Sequence, residues 1–313
     1  MKTHATRAQS ELLRFRCTLC GGCCEGVKVP VSEAEVPAIE RAGAALGVAQ
    51  PVDGRALRFE GGQCVFQTQG RCRIHGELGP ERKPHACQQF PLIALRAEDG
   101  LRIGVDPAAY GAHSSWLRGE PLPDMALRAS RVSCPGGQRG LEAALVQACE
   151  APDASVGALL ALLCQESAPT GGLPLAFSQR WAQHLSQLDF QAFLQARGPG
   201  PLLLGQLEPV ASAAPQFSGG PPPWALSPES ERWVVEATRR VLFLRLLANI
   251  PSVSIGALLV LGGALACAWT DPRPGRFEPR FTAWLRALRF DPFWQRLART
   301  DLMWLATGQR GPI

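Results

Sequence analysis

At 313 residues the chain has ample material for a buried core, as one large domain or two of medium size, and needs no covalent staples to fold. Its composition, 46% hydrophobic and 19% charged, is that of an ordinary soluble protein. The net charge of +5 is mild, the 32 Lys and Arg are scattered, and a single Tyr with few aromatics near them offers no stacking platform, so nucleic acid is excluded as an expected partner.

The opening segment "MKTHATRAQSELLRFRC" has no apolar run of signal-peptide length before the first cysteine, and the expected compartment is the cytoplasm. In a reducing compartment closely spaced cysteines serve as metal ligands or redox groups more than as structural disulfides. The odd total of eleven fits a disulfide framework poorly. Seven of the eleven lie between Cys17 and Cys87, which marks a module.

In chain order, the cluster "CTLCGGCC" is followed by a short extended piece and a helix in "VKVPVSEAEVPAIERAGAALG", with Ser32 and Glu35 at capping-box spacing. "ALRFEGGQCVFQTQGRCRIH" has extended stretches separated by Gly-containing turns, a hairpin pattern that delivers Cys64 and Cys72 near each other. "PLIALRAEDGLRIGVD" predicts a further hairpin turning at Asp99-Gly100. From residue 138 apolar residues recur at spacings near three and four through "LEAALVQACEA", "DASVGALLALLCQE" and "LAFSQRWAQHLSQLDFQAFLQA", which predicts helices. A Pro/Gly-rich stretch over 197–228 is expected to be a loop, after which helices resume from "ERWVVEATRRVLFLRLLA".

Between Arg245 and Asp271 the run 246–270 carries no charge and approaches the length that crosses a bilayer. The amphipathic "FTAWLRALRFDPFWQRLARTDLMWL" after it could lie on a membrane surface. Pro251 interrupts the run, however, and its Gly, Ala and Ser content suits the centre of a helical domain, where a helix is apolar all round. The expectation is a buried helix rather than a membrane segment.

The thiols fall as Cys17-x2-Cys20-x2-Cys23-Cys24, then Cys64, Cys72 and Cys87, then Cys134, and these eight are the candidate metal ligands. A Cys-x2-Cys step aims two sulfurs at one metal, and Gly21 and Gly22 let the backbone approach it closely. Thiolate is the binding form, and Arg14, Arg16, Lys28, Arg71, Arg73, Arg82 and Lys83 lie close enough in sequence to favour it. His75 and His85 are auxiliary candidates, better read as supporting or surface residues. A bacterial ferredoxin run is excluded because Cys24 follows Cys23 directly, and a thioredoxin-like site because no βαβ context surrounds Cys17 and Cys20. Cys149, Cys164 and Cys267 sit in apolar helical patterns and read as small core residues. No catalytic residue is assigned: Glu77, Asp99 and Asp106 read as turn or surface acids.

"FRCTLCGGCC" together with "CVFQTQGRCRIHGELGPERKPHACQQFP" resembles the YkgJ-type CxxCxxCC cysteine-cluster family, regarded as zinc- or iron-chelating. The likeness is carried by Phe15, Cys17, Cys20, Cys23, Cys24, Cys64, Phe66, Cys72, Ile74, His75, Pro84, Cys87, Phe90 and Pro91, with a Cys-Pro step at Cys134 that comes late. Through this family the chain is distantly similar to the flagellin lysine N-methylases, although its opening cluster is tighter than theirs. The resemblance implies an iron-sulfur cluster (4Fe-4S) or zinc. By analogy it implies S-adenosylmethionine as cofactor and a protein lysine as substrate, and no Gly-rich nucleotide loop in the residues adds to that. The alternative is a non-catalytic zinc-binding structural or interaction module. The expected fold class is α+β: a cysteine-cluster domain of short hairpins at 11–137 on a mostly α-helical domain at 138–313.

Overall fold

A computed structural model of the chain describes residues 14–17, 21–25, 29–119, 127–134, 137–165, 172–188, 201–248, 250 and 252–290. The fold is α+β, with small antiparallel hairpins in the N-terminal part and helices in the C-terminal part. Two compact units form. The first is Met1–Ile93 with Ile103–Arg128 and Leu194–Gly205, and the second is Ala94–Arg102 with Ala129–Phe193 and Gln206–Ile313.

In the first unit helix α1 (Val36–Ala45) follows the expected Ser32–Glu35 pair: Ser32 donates its backbone N–H and its hydroxyl to the Glu35 carboxylate, and Pro37 occupies a first-turn position that needs no amide. Three two-residue hairpins follow: β1 (Val52–Asp53) with β2 (Ala56–Leu57), β3 (Phe59–Glu60) with β4 (Gln63–Cys64), and β5 (Gln67–Thr68) with β6 (Arg71–Cys72). The last two turn on Gly61-Gly62 (φ 54° and 77°) and Gln69-Gly70 (φ 49° and 74°). Two consecutive positive φ values make the type I′ turn, whose twist matches that of the strands it joins. Each turn therefore returns its strand with a cysteine two residues later, Cys64 opposite Phe59 and Cys72 opposite Gln67. Helices α2 (His85–Gln89) and α3 (Ala112–Arg118) also belong to this unit. Strands β7 (Leu92–Ala97) and β8 (Gly100–Val105) form the predicted hairpin, and β9 (Ser130–Arg131) adds to β7 in parallel.

The second unit is helical: α4 (Arg139–Glu150), α5 (Val156–Cys164) and α6 (Leu175–Gln187) come first. Residues 189–200 of the predicted helical stretch lie outside the described residues. The expected loop at 197–228 is corrected: it contains helix α7 (Pro201–Ala213) and a 3-10 segment, Ala214–Gly219. Proline at the first helical position costs no hydrogen bond, and the buried side chains Leu203, Leu207, Val210, Ala211 and Ala214 recur with helical spacing. The Pro and Gly content masked that period.

Helix α8 (Pro228–Phe243) is capped by Ser227, whose hydroxyl oxygen accepts the Ser230 N–H at 3.1 Å. The uncharged run forms helix α9 (Val253–Thr270), followed by α10 (Phe277–Phe290). Helix α9 is long and apolar enough to cross a membrane, yet 89% of it is buried against α4, α5, α6, α8 and α10. Its glycines permit that packing. A Cβ on Gly262 would stand 2.6 Å from the Trp181 ring and one on Gly263 would collide with Trp284, while Trp181 Nε1 donates to the Gly262 carbonyl at 2.7 Å. Residues 291–313, part of the expected amphipathic segment, lie outside the described residues.

A buried charge network also stands in this unit. Glu142, 3% exposed, accepts from Arg102 at 2.7 Å and from Arg245 at 2.8 Å, and Arg245 reaches Glu98 at 2.6 Å. Asp99 pairs with Arg102, as a turn acid does.

Candidate metal centre

The opening cysteine segment is held from three sides within the first unit. The Arg16 N–H donates to the Ser115 hydroxyl at 2.8 Å, which seats Cys17's neighbour on α3. Gly21 has φ 70°, and a Cβ there would overlap the Gly70 carbonyl in the β5–β6 turn, so both its conformation and its space demand glycine. A Cβ on Gly22 would overlap the Tyr110 ring. A 3-10 turn, Gly22–Cys24, then delivers Cys24, and Glu25 pairs with Gln63 as an isolated bridge beside Cys64.

Four predicted ligands meet at one apolar core. Cys64 is part of the core that holds Val31, Ile39, Phe66 and Ile74, and Cys24, Cys72 and Cys87 pack against it. Burial pushes the Cys64 thiol up to about 11, against a backbone hydrogen bond at Phe66, and the neighbouring Cys72 raises it further. Burial likewise pushes Cys87 up to about 12; Lys83 works the other way, and Cys64 and Cys72 add to the rise. The three thiols are thus within electrostatic reach of one another, and none is in a disulfide. Thiols held neutral by burial release protons when a cation replaces them, and an all-sulfur donor set suits zinc or iron.

Other predicted residues are placed differently. Cys17 is exposed, while Cys20 and the side chain of Cys23 lie outside the described residues. Among the described residues no three His, Cys, Asp or Glu side chains stand together closely enough to hold a metal ion. Cys134 belongs to the second unit, where its N–H reaches Glu98 at 3.4 Å and burial, with the nearby Glu142, raises its thiol. Of the candidate charges, Lys83 favours thiolate at Cys87, whereas Arg73 is committed to Glu77 at 2.8 Å and to the Leu46 carbonyl. Asp106, expected as a turn or surface acid, is fully buried and accepts the Ala108 N–H at 2.9 Å.

Two supporting residues carry more than their sequence signals suggested. Glu35, just before α1, accepts from Ser32 and also accepts the His85 N–H at 2.7 Å, which anchors the helix that carries Cys87. Burial opposes ionisation of Glu35, but hydrogen bonds from Ser32 and His85 hold it below its usual range. Gln67, which nothing in the motif singled out, faces Cys72 across β5–β6. The repeated Gly-x-Cys after each hairpin turn was the signal that could have drawn attention to the residues opposite the cysteines.

These observations define a class: a domain of tight hairpins that gathers thiols on a small apolar core. Residues 16–107 match the CxxCxxCC family model, described as "Putative zinc- or iron-chelating domain". The match covers the cysteine-rich part and stops short of Cys134 and the helices of the second unit. No curated protein and no solved structure matches the chain.

Proposed function

We propose that the first unit binds zinc or iron through cysteine thiolates, drawing on Cys17, Cys20, Cys23, Cys24, Cys64, Cys72 and Cys87. The observation that carries this is the gathering of Cys64, Cys72 and Cys87, from two hairpins and a helix, at one apolar core, with Cys72 raising the thiols of Cys64 and Cys87 and none bonded in a disulfide. Thiols gathered on one core repel one another as thiolates, and binding a cation relieves that repulsion. Neighbouring side chains diverge, so the adjacent Cys23-Cys24 pair favours an iron-sulfur cluster of the 4Fe-4S type, or two neighbouring metals, over a single zinc.

Anaerobic purification followed by metal and sulfide analysis tests the proposal. Iron with acid-labile sulfide and a brown colour is the expected result. A colourless protein with stoichiometric zinc replaces the cluster with a structural zinc site, and a protein that takes up neither metal overturns the proposal. Methylation of a protein lysine rests on the family resemblance alone. Its test is S-adenosylmethionine binding by the metal-loaded protein, and absence of binding removes it.

A further inference from the structure

Gln67 is half-buried as a residue, but its amide nitrogen and oxygen are both fully buried and have no hydrogen-bond partner among the described residues. Leaving a buried amide unsatisfied costs roughly 1–3 kcal/mol, so its retention calls for a partner that arrives later. The surroundings indicate what that partner is. Gln67 and Cys72 are cross-strand partners in β5–β6, and side chains so paired stand on the same face of the hairpin with Cβ atoms roughly 4.5–5.5 Å apart. On its other side, Gln67 Nε2 lies 2.6 Å from where a Cβ on Gly21 would be, between Cys20 and Cys23. The amide therefore stands where the opening cysteine loop meets the hairpin that carries Cys72. The equivalent place in the preceding hairpin, opposite Cys64, is Phe59, which offers no donor.

We propose that Gln67 is a positioning residue of the metal centre, whose side-chain N–H donates to a metal-bound thiolate, with Cys72 the nearest acceptor by register. The inference rests on the metal-binding reading above. An N–H aimed at a thiolate withdraws electron density from the sulfur and orients it on the metal. Partners of this kind typically account for about 10–100-fold in metal affinity.

The test uses the full chain, metal-free and loaded with Co²⁺ as a spectroscopic probe, comparing wild type with Gln67→Leu and Gln67→Glu. Three readouts are taken: cobalt affinity by chelator competition, the thiolate-to-cobalt charge-transfer band, and the urea midpoint of the metal-free protein. Gln67→Leu is expected to keep cobalt stoichiometry, lose about 10–100-fold in affinity, shift the band and leave the metal-free protein as stable as wild type or more so. The isosteric Gln67→Glu, which lacks the N–H donors, is expected to weaken affinity as well. A structural role would instead lower the metal-free midpoint of Gln67→Leu, or leave it unfolded without metal, and that outcome overturns the proposal. Wild-type affinity and band in both variants overturns it equally. Failure of the wild type to bind cobalt at all sinks the metal-binding reading itself, and is recognised separately because it appears before any substitution.

Discussion

One oxygen of the Glu25 carboxylate accepts the backbone N–H groups of Leu202 and Leu203, at 2.9 and 3.0 Å, from a position 177 residues earlier in the chain. Glu25 directly follows Cys24, is 2% exposed, and takes the Gln63 amide on its second oxygen at 3.1 Å. An anion at a helix N-terminus satisfies donors that have no intrahelical partner. The end of the cysteine motif is thereby tied to the first turn of α7, whose residues up to Gly205 belong to the first unit.

Glu25→Ala is expected to lower unfolding stability by about 1–2 kcal/mol, because two first-turn amides and a side-chain amide lose their acceptor together. Glu25→Gln, which keeps one carbonyl oxygen, should lose less. Urea denaturation of both variants checks the order, and an unchanged Glu25→Ala midpoint would show that α7 does not depend on this contact.

Gly21→Ala tests the seat of the opening loop. The new methyl meets the Gly70 carbonyl at a backbone conformation with φ 70°. Left-handed strain in a non-glycine residue costs about 1–3 kcal/mol before any clash is counted. Reduced metal retention is expected along with reduced stability, and Gly61→Ala, where nothing lies within 4 Å of the added carbon, is the matched control for strain alone. Equal effects from the two substitutions would contradict the close approach at Gly70.

In the second unit, Glu142→Leu removes the carboxylate between Arg102 and Arg245, whose side chains are 11% and 1% exposed. Removing one partner of a buried ion pair leaves an uncompensated charge and costs about 3–5 kcal/mol. Glu98 and Asp99 remain as partial partners, so the loss should fall at the lower end of that range. A loss below about 1 kcal/mol by chemical denaturation would show that the network adds little to stability.

Acid sensitivity has one source at the end of α9. Hydrogen bonds from Arg273, together with its charge, hold the Asp271 carboxyl down at about 2. Because the folded value lies below that of the unfolded chain, the stability it adds is present above pH ~4 and is lost as pH falls from about 4 toward 2. Asp271→Asn should therefore show a lower urea midpoint than wild type at pH 6, with the gap narrowing as pH falls from about 4 toward 2. A gap independent of pH would assign the effect to something other than this carboxylate's charge.

Local features were legible without the fold. The spacing of Cys17, Cys20, Cys23 and Cys24 marked the cysteine-cluster module, Gly61-Gly62 and Gly70 marked the tight turns, and Ser32 with Glu35 marked the approach to α1. These are consequences of backbone conformation over a few residues, where each side chain's preference acts directly. Helix α7 was legible in principle, since Leu203, Leu207 and Val210 keep a helical period, but prolines and glycines in the same stretch argued the other way.

What the tertiary structure decided lies between residues far apart in the chain. Composition alone left the run 246–270 open to two environments, and the burial of α9 among five helices comes from where Trp181 and Trp284 find room over Gly262 and Gly263. The second acceptor role of Glu35, the capping of α7 by Glu25 and the place of Gln67 beside Gly21 and Cys72 depend on which surfaces meet, and no local preference records that. By itself the sequence determined a cluster of thiols joined to a helical chain. Only folding determined which thiols share a core, because their proximity is set by the packing of hairpins and helices around Ile39, Phe66 and Ile74.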